Sequence, residues 1–127
     1  MRKRVLVVDD EENVVKLISA TLGYDDRYQV AVARDGQEAL SIALHERPDL
    51  VILDMLMPKL DGSAVCRELK ANLATAHTKV IVLTALTQQG DRQKALMAGA
   101  DEFLTKPFSP TELLLKIEQI LDSEQES

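Results

Sequence analysis

Cysteine is almost missing from this chain of 127 residues: Cys66 stands alone. An intrachain disulfide is therefore impossible, and a zinc site built on cysteine is ruled against. Aromatic residues make up only 3%, few to sandwich a planar ring cofactor such as a flavin. No stretch approaches the roughly 20 apolar residues that a membrane-spanning helix needs. The basic start, Met1-Arg2-Lys3-Arg4, leads into only the short run Val5–Val8 before Asp9-Asp10-Glu11-Glu12, which no signal peptide tolerates. The expectation is a cytoplasmic protein without a membrane partner. An excess of positive charge is lacking too. Fifteen basic against twenty-one acidic side chains leave a net charge of −6, so direct nucleic-acid contact by this domain is disfavoured.

What is present suffices for one core. Hydrophobic residues make up 46% and charged residues 28%, an ordinary globular mix that needs no disulfide or metal staple. Five short apolar runs recur, at Val5–Val8, Gln29–Ala33, Leu50–Leu53, Lys79–Leu83 and Glu102–Leu104. The first, third and fourth are nearly continuous Val, Ile and Leu, as in strands buried on both faces of a parallel sheet. Between them the period becomes helical. Leu17, Ile18 and Leu22 mark one stripe; Ala39, Leu40, Ala43 and Leu44 mark a second. Val65 with Leu69 and Ala95 with Leu96 mark the next two. The last helix opens with Ser109 as N-cap, Pro110 at its first position and Glu112 completing a capping box. Leu113, Leu114, Ile117, Ile120 and Leu121 then form its apolar face, and Leu115 lies off that stripe. The predicted architecture is α/β: a flavodoxin-like, three-layer (βα)5 sandwich with right-handed crossovers. For five strands the favoured order is 2-1-3-4-5, whose crevice opens at the carboxyl ends of the first and third strands.

Polar residues stand where that topology asks for them. Asp9 and Asp10 end the first strand, Asp54 the third, Thr84 the fourth and Lys106 the fifth. Converging carboxylates repel one another, so a neutralising cation is called for. The donors are all oxygens, which selects a hard ion, and Mg²⁺ suits few carboxylates with retained waters. A carboxylate can attack phosphorus and form an acyl phosphate. Positioning and charge neutralisation are then the protein's main work. Mg²⁺ can bridge Asp10 and the phosphoryl group, while Lys106 pairs with a second oxygen and the Thr84 hydroxyl with a third.

Val-Leu-Val-Val-Asp-Asp-Glu at 5–11, Leu-Asp-Met-Leu-Met-Pro-Lys-Leu-Asp-Gly at 53–62, Leu-Thr-Ala at 83–85 and Gly-Ala-Asp-Glu-Phe-Leu-Thr-Lys-Pro-Phe at 99–108 resemble the receiver family of two-component response regulators. The resemblance runs from Val5 to about Leu121, which gives a receiver domain over 1–122 and a polar tail over 123–127. It implies that Asp54 accepts a phosphoryl group from a histidine kinase or a phosphotransfer protein. It further implies that Asp9, Asp10, Asp54 and the Leu56 backbone carbonyl hold Mg²⁺, that Thr84 and Lys106 contact the phosphate, and that Phe103 turns inward as Thr84 moves. A cis peptide is implied at Lys106–Pro107. The signal would leave through the fourth helix, fifth strand and fifth helix toward an output protein or effector domain not named by the sequence. Leu56 and Leu86 occupy positions that tune hydrolysis in this family, and both being apolar implies a long-lived acyl phosphate. The last helix carries Lys116-Ile117-Glu118-Gln119 and then an acidic tail, where winged-helix regulators carry a basic dimer pattern; the thinning tells against that dimer. We expect a stand-alone or phosphorelay receiver, monomeric when unphosphorylated or forming a phosphorylation-dependent homodimer, and not an enzyme on exogenous substrates.

Bland readings compete at each position. Asp9 and Asp10 suit a helix N-terminus, Thr84 a strand-end cap, Lys106 a solvated surface and Phe103 a core. Asp54 fits least as a bland residue, because an unpartnered, partly buried acid costs several kcal/mol. Cys66 reads as a small buried hydrophobe, and His45 and His77 as surface residues. The polar loop from Gly23 to Tyr28 receives no role. A different class remains in view: an aspartyl phosphatase or phosphotransferase acting on exogenous substrates. Haloacid dehalogenase-type enzymes favour Asp-x-Asp after the first strand and a cap domain, however, whereas here the acids are adjacent and the chain is short.

Overall fold

β-Branched and leucine-rich runs form the strands because both of their faces are covered. The computed structural model describes residues 2–24, 26–55, 62–84, 93 and 96–126, apart from the side chains of 122–126. In chain order the elements are β1 (Lys3–Val8), α1 (Glu12–Gly23), β2 (Tyr28–Ala33), α2 (Gly36–Glu46), β3 (Leu50–Asp54), α3 (Gly62–Ala71), β4 (Lys79–Thr84), β5 (Glu102–Thr105) and α4 (Pro110–Glu126). The strands form one five-stranded parallel sheet in the order β2-β1-β3-β4-β5.

Alternation along each central strand divides the core in two. Leu6, Val8, Val51, Leu53, Val80 and Val82 pack with Ala39, Ala43, Val65, Cys66 and Leu69 on the α2/α3 side. Val5, Val7, Leu50, Ile52, Ile81 and Leu83 pack with Val15, Ile18, Leu22, Leu113, Ile117 and Leu121 on the α1/α4 side. Burying one such side chain contributes on the order of 1.5–3 kcal/mol, so the alternation fixes the sheet register far more firmly than strand propensity does.

Local signals end the helices. Asp35 caps α2 by accepting from the Glu38 amide at 2.9 Å, and Arg47 leaves it with a φ of 49°. At α4 the expected capping box forms: the Glu112 amide donates to Ser109 Oγ at 3.1 Å, and the Ser109 amide to Glu112 Oε1 at 3.2 Å. Leu17 and Leu44 depart from expectation, being exposed. The stripe of α1 centres on Val15, Ile18 and Leu22, and successive residues lie about 100° apart, so Leu17 falls past its edge; Leu44 does the same beside Ala43. Tyr28 is not a loop residue but the buried first residue of β2, paired with Lys3. Arg27 lies 5.3 Å over its ring and bonds Glu118 of α4 at 3.2 Å. Leu115 is exposed, as its position off the stripe implies.

Ala95, Leu56 and Leu86 lie outside the described residues, so most of the expected fourth helix does as well. Among the described residues no helix is long and apolar enough to cross a membrane.

Cys66 is fully buried on α3, and burial pushes its thiol up to about 11. The thiolate is the reactive species. A thiol reagent at neutral pH should therefore leave the native protein unmodified and label Cys66 at once in denaturant; rapid native labelling would contradict the packing described.

Candidate functional site

Parallel register sets the carboxyl ends of four strands side by side. Val8 pairs with Leu53, Asp54 with Leu83, and Thr84 with Thr105. One residue beyond these rungs come Asp9 and Lys106. Main-chain bonds pin each end: the Asp9 amide donates to the Ala33 carbonyl (3.2 Å), the Met55 amide to Leu83 (3.0 Å) and the Lys106 amide to Thr84 (2.7 Å). The Lys106–Pro107 peptide is cis.

The side chains then meet. The Lys106 ammonium lies 3.1 Å from Asp9 Oδ2, 3.2 Å from Glu11 Oε1 and 3.6 Å from Asp54 Oδ1. Asp9 and Asp54 are buried. Asp9 is held further by the Glu11 amide, which donates to Asp9 Oδ1 at 2.9 Å; Glu11 is the N-cap of α1 and that helix has no side-chain cap bond, so Asp9 does not act as its cap. Burial alone would lower the Lys106 pKa. The hydrogen bond to Asp9, the charges of Asp54 and Asp9 and the bond to Glu11 outweigh it and hold the ammonium above its ordinary 10.5. The sign follows: this pairing stabilises the fold fully below the ordinary lysine value and is lost as pH rises through the raised one.

Asp9, Glu11 and Asp54 each offer a carboxylate oxygen within 4.8 Å of the others. These three carboxylates and one ammonium carry two formal negative charges. An all-oxygen cluster of that charge is compatible with a divalent cation. Asp10 is exposed and is not one of the three. Glu11 is, although sequence reasoning assigned it no role beyond its place in a motif.

Residues 5–118 match the response regulator receiver domain. The chain belongs to that family. It is 44% identical to the alkaline phosphatase synthesis transcriptional regulatory protein PhoP of Bacillus subtilis, over 95% of this chain and 49% of PhoP. The chain thus spans about half the length of the transcriptional regulators it matches. A putative response regulator from Chloroflexus aurantiacus superposes with a TM-score of 0.91 at 31% identity, over 96% of this chain and 99% of that one. The receiver domain of the sensor histidine kinase PA1611 from Pseudomonas aeruginosa superposes at 0.86 with 33% identity, over 94% and 97%; it carries a magnesium ion in its active-site cleft. Receivers are signalling domains rather than enzymes, and membership favours that reading over a phosphatase acting on exogenous substrates.

Three more features of this receiver bear on the site. The Thr84 hydroxyl is buried and has no hydrogen-bond partner among the described residues. Phe103 is half-buried on β5, packs against the α2/α3 core, and lies 5.9 Å beneath Lys116, which also bonds Glu102 at 3.2 Å. The third feature is Gly62, which sequence reasoning left as a motif letter. Its amide donates to the Met55 carbonyl at 3.0 Å. A Cβ there would sit 2.5 Å from the Asp54 carbonyl oxygen and 2.8 Å from Met55 Cα. Backbone cannot yield as a side chain can. Gly62→Ala should therefore cost about 1–3 kcal/mol, the usual scale of overpacking, measured by urea unfolding; a neutral result would mean that α3 does not abut β3 this closely.

Proposed function

We propose that Asp54 is the phosphoacceptor of a phosphorylation-controlled binding module, and that residues 1–122 form the receiver with 123–127 as a polar tail. Receivers act between histidine kinases and output domains. Here an Asp54 oxygen attacks phosphorus, the phosphorus–nitrogen bond of a phosphohistidine breaks, and the imidazole leaves with its electron pair. What supports this reading is the convergence of Asp9, Asp54 and Lys106 beside a Thr84 hydroxyl that has no partner among the described residues.

The donor set fits Mg²⁺, with Asp9, Asp10, Asp54 and the Leu56 carbonyl as its holders. When bound, the ion supplies positive charge to the phosphoryl oxygens and so lowers their repulsion from the attacking carboxylate. Lys106 already faces Asp54 and can pair with a phosphoryl oxygen. Thr84 has a donor to give, and its turn toward the phosphoryl group would open space for Phe103 to move inward. The face made by the segment before β5, β5 itself and α4 would then meet an output partner. Localisation in the cytoplasm accords with this role.

Acetyl phosphate with Mg²⁺ should add the mass of one phosphoryl group to the intact protein. Chelation or Asp54→Asn should abolish the addition, and an unchanged yield in Asp54→Asn would sink the assignment. Thr84→Val should separate stability from switching. Replacing an unsatisfied hydroxyl by a methyl of similar shape should leave urea stability unchanged or raise it by about 1 kcal/mol. Asp54 should still be phosphorylated, but the accompanying change in the Phe103 ring NMR signals should disappear. A large loss of resting stability would show instead that the hydroxyl has a structural partner.

A further inference from the structure

We propose that Glu11 is a positioning residue that holds the Lys106 ammonium at the outer rim of the acidic cluster, keeping the Asp9 and Asp54 carboxylates receptive to a divalent cation. The inference rests on the reading of Asp54 given above.

Lys106 has one charge to share among three carboxylates, and the distances show how it is shared. It sits 3.1 Å from Asp9 and 3.2 Å from Glu11 but 3.6 Å from Asp54. The position is the balance of an inner pull from Asp54 and an outer pull from Glu11. The two ends of that balance differ in solvation. The Asp54 side chain is 8% exposed, whereas that of Glu11 is 61% exposed. The Glu11 amide is tied to Asp9 Oδ1 at 2.9 Å, so its backbone is fixed while its carboxylate reaches over the rim.

An ammonium and a metal ion compete for the same oxygens. A cation entering between Asp9 and Asp54 must displace the lysine or tolerate it nearby, and like charges at such range are costly. Glu11 offers the displaced ammonium a charged acceptor at the watered edge of the cluster. Without it, Lys106 would settle on Asp54, masking the carboxylate that both the cation and the phosphoryl group need. The exposed third acid thus acts through the lysine rather than on the reacting atoms.

Calorimetric titration of Mg²⁺ into the full chain, in the wild type, Glu11→Gln, Lys106→Met and the double variant, tests this as a cycle. Glu11→Gln should weaken Mg²⁺ binding about two- to fivefold, the scale of an exposed charge pair. In the Lys106→Met background the same change should have less than half that effect on the logarithm of affinity. Unchanged binding by Glu11→Gln overturns the proposal, and so does an equal loss in both backgrounds, which would make Glu11 a plain charge near the ion. Wild-type protein that binds no Mg²⁺ would overturn the reading of the site as well, which keeps the two failures apart. Thermal unfolding of each variant in chelator checks that all four remain folded; Glu11→Gln is an exposed substitution and should shift the midpoint little, whereas Lys106→Met removes an ammonium that is only 15% exposed and should lower it.

Discussion

A single ammonium makes the carboxyl edge of this sheet possible. Two like charges 4 Å apart repel by roughly 4 kcal/mol at the effective dielectric of a protein surface, and Asp9 has no solvent to relieve it. Lys106 reaches from beyond β5, past the end of β4, to carboxylates following β1 and closing β3. The contact joins residues 97 positions apart, so it forms only when the whole sheet is assembled. The charges that would split the edge are thereby turned into a tie between the first and last strands. The tie is partial, for two negative charges stay uncompensated, a remainder compatible with a divalent cation.

Rigid placement is what the rest of the fold supplies. One ammonium is shared among three carboxylates at 3.1, 3.2 and 3.6 Å, which requires that their backbones be held in place. Parallel register does this with main-chain bonds at Ala33, Leu83 and Thr84, backed by two apolar layers. A slip of one residue would carry every core valine into the layer on the opposite face of the sheet, where the cavity is shaped for its neighbour. The same packing brings Gly62 against the Asp54 carbonyl, so that α3 starts where β3 ends. Core and site are consequently not separate regions, because this close backbone approach lies directly behind the candidate nucleophile.

Much of this was legible beforehand. Continuous Val/Ile/Leu runs mark doubly buried strands, the Ser109–Glu112 box marks a helix start, and together they gave the topology and hence the edge where Asp9, Asp54, Thr84 and Lys106 gather. Legibility failed where one residue's azimuth decided the outcome. Leu17 and Leu44 are apolar and adjacent to buried positions, yet a rotation of about 100° per residue puts them in water. Tyr28 sat among polar letters, and only pairing with Lys3 shows it to be strand. Glu11 was hidden because an acid after a helix-capping pair is ordinary; its reach to Lys106 depends on a three-dimensional path from residue 106 that no spacing encodes. Gly62 was a motif letter until the distance to Asp54 gave it a reason.

Charge and hydrogen bonding at the site are unsatisfied in opposite senses among the described residues. The carboxylates have more negative charge than Lys106 neutralises, while Thr84 has a donor without an acceptor among the described residues. A buried unmade hydrogen bond costs about 1–3 kcal/mol. A phosphoryl group with its cation answers both at once, bringing positive charge to the acids and oxygens to the hydroxyl. A ligand shifts a conformational equilibrium only by its differential interaction with the two states. If Thr84 meets the phosphoryl group in one arrangement alone, the differential is that same 1–3 kcal/mol, a shift of roughly 5- to 150-fold. On the proposed reading, an interaction of that size is enough to bias which arrangement the receiver adopts.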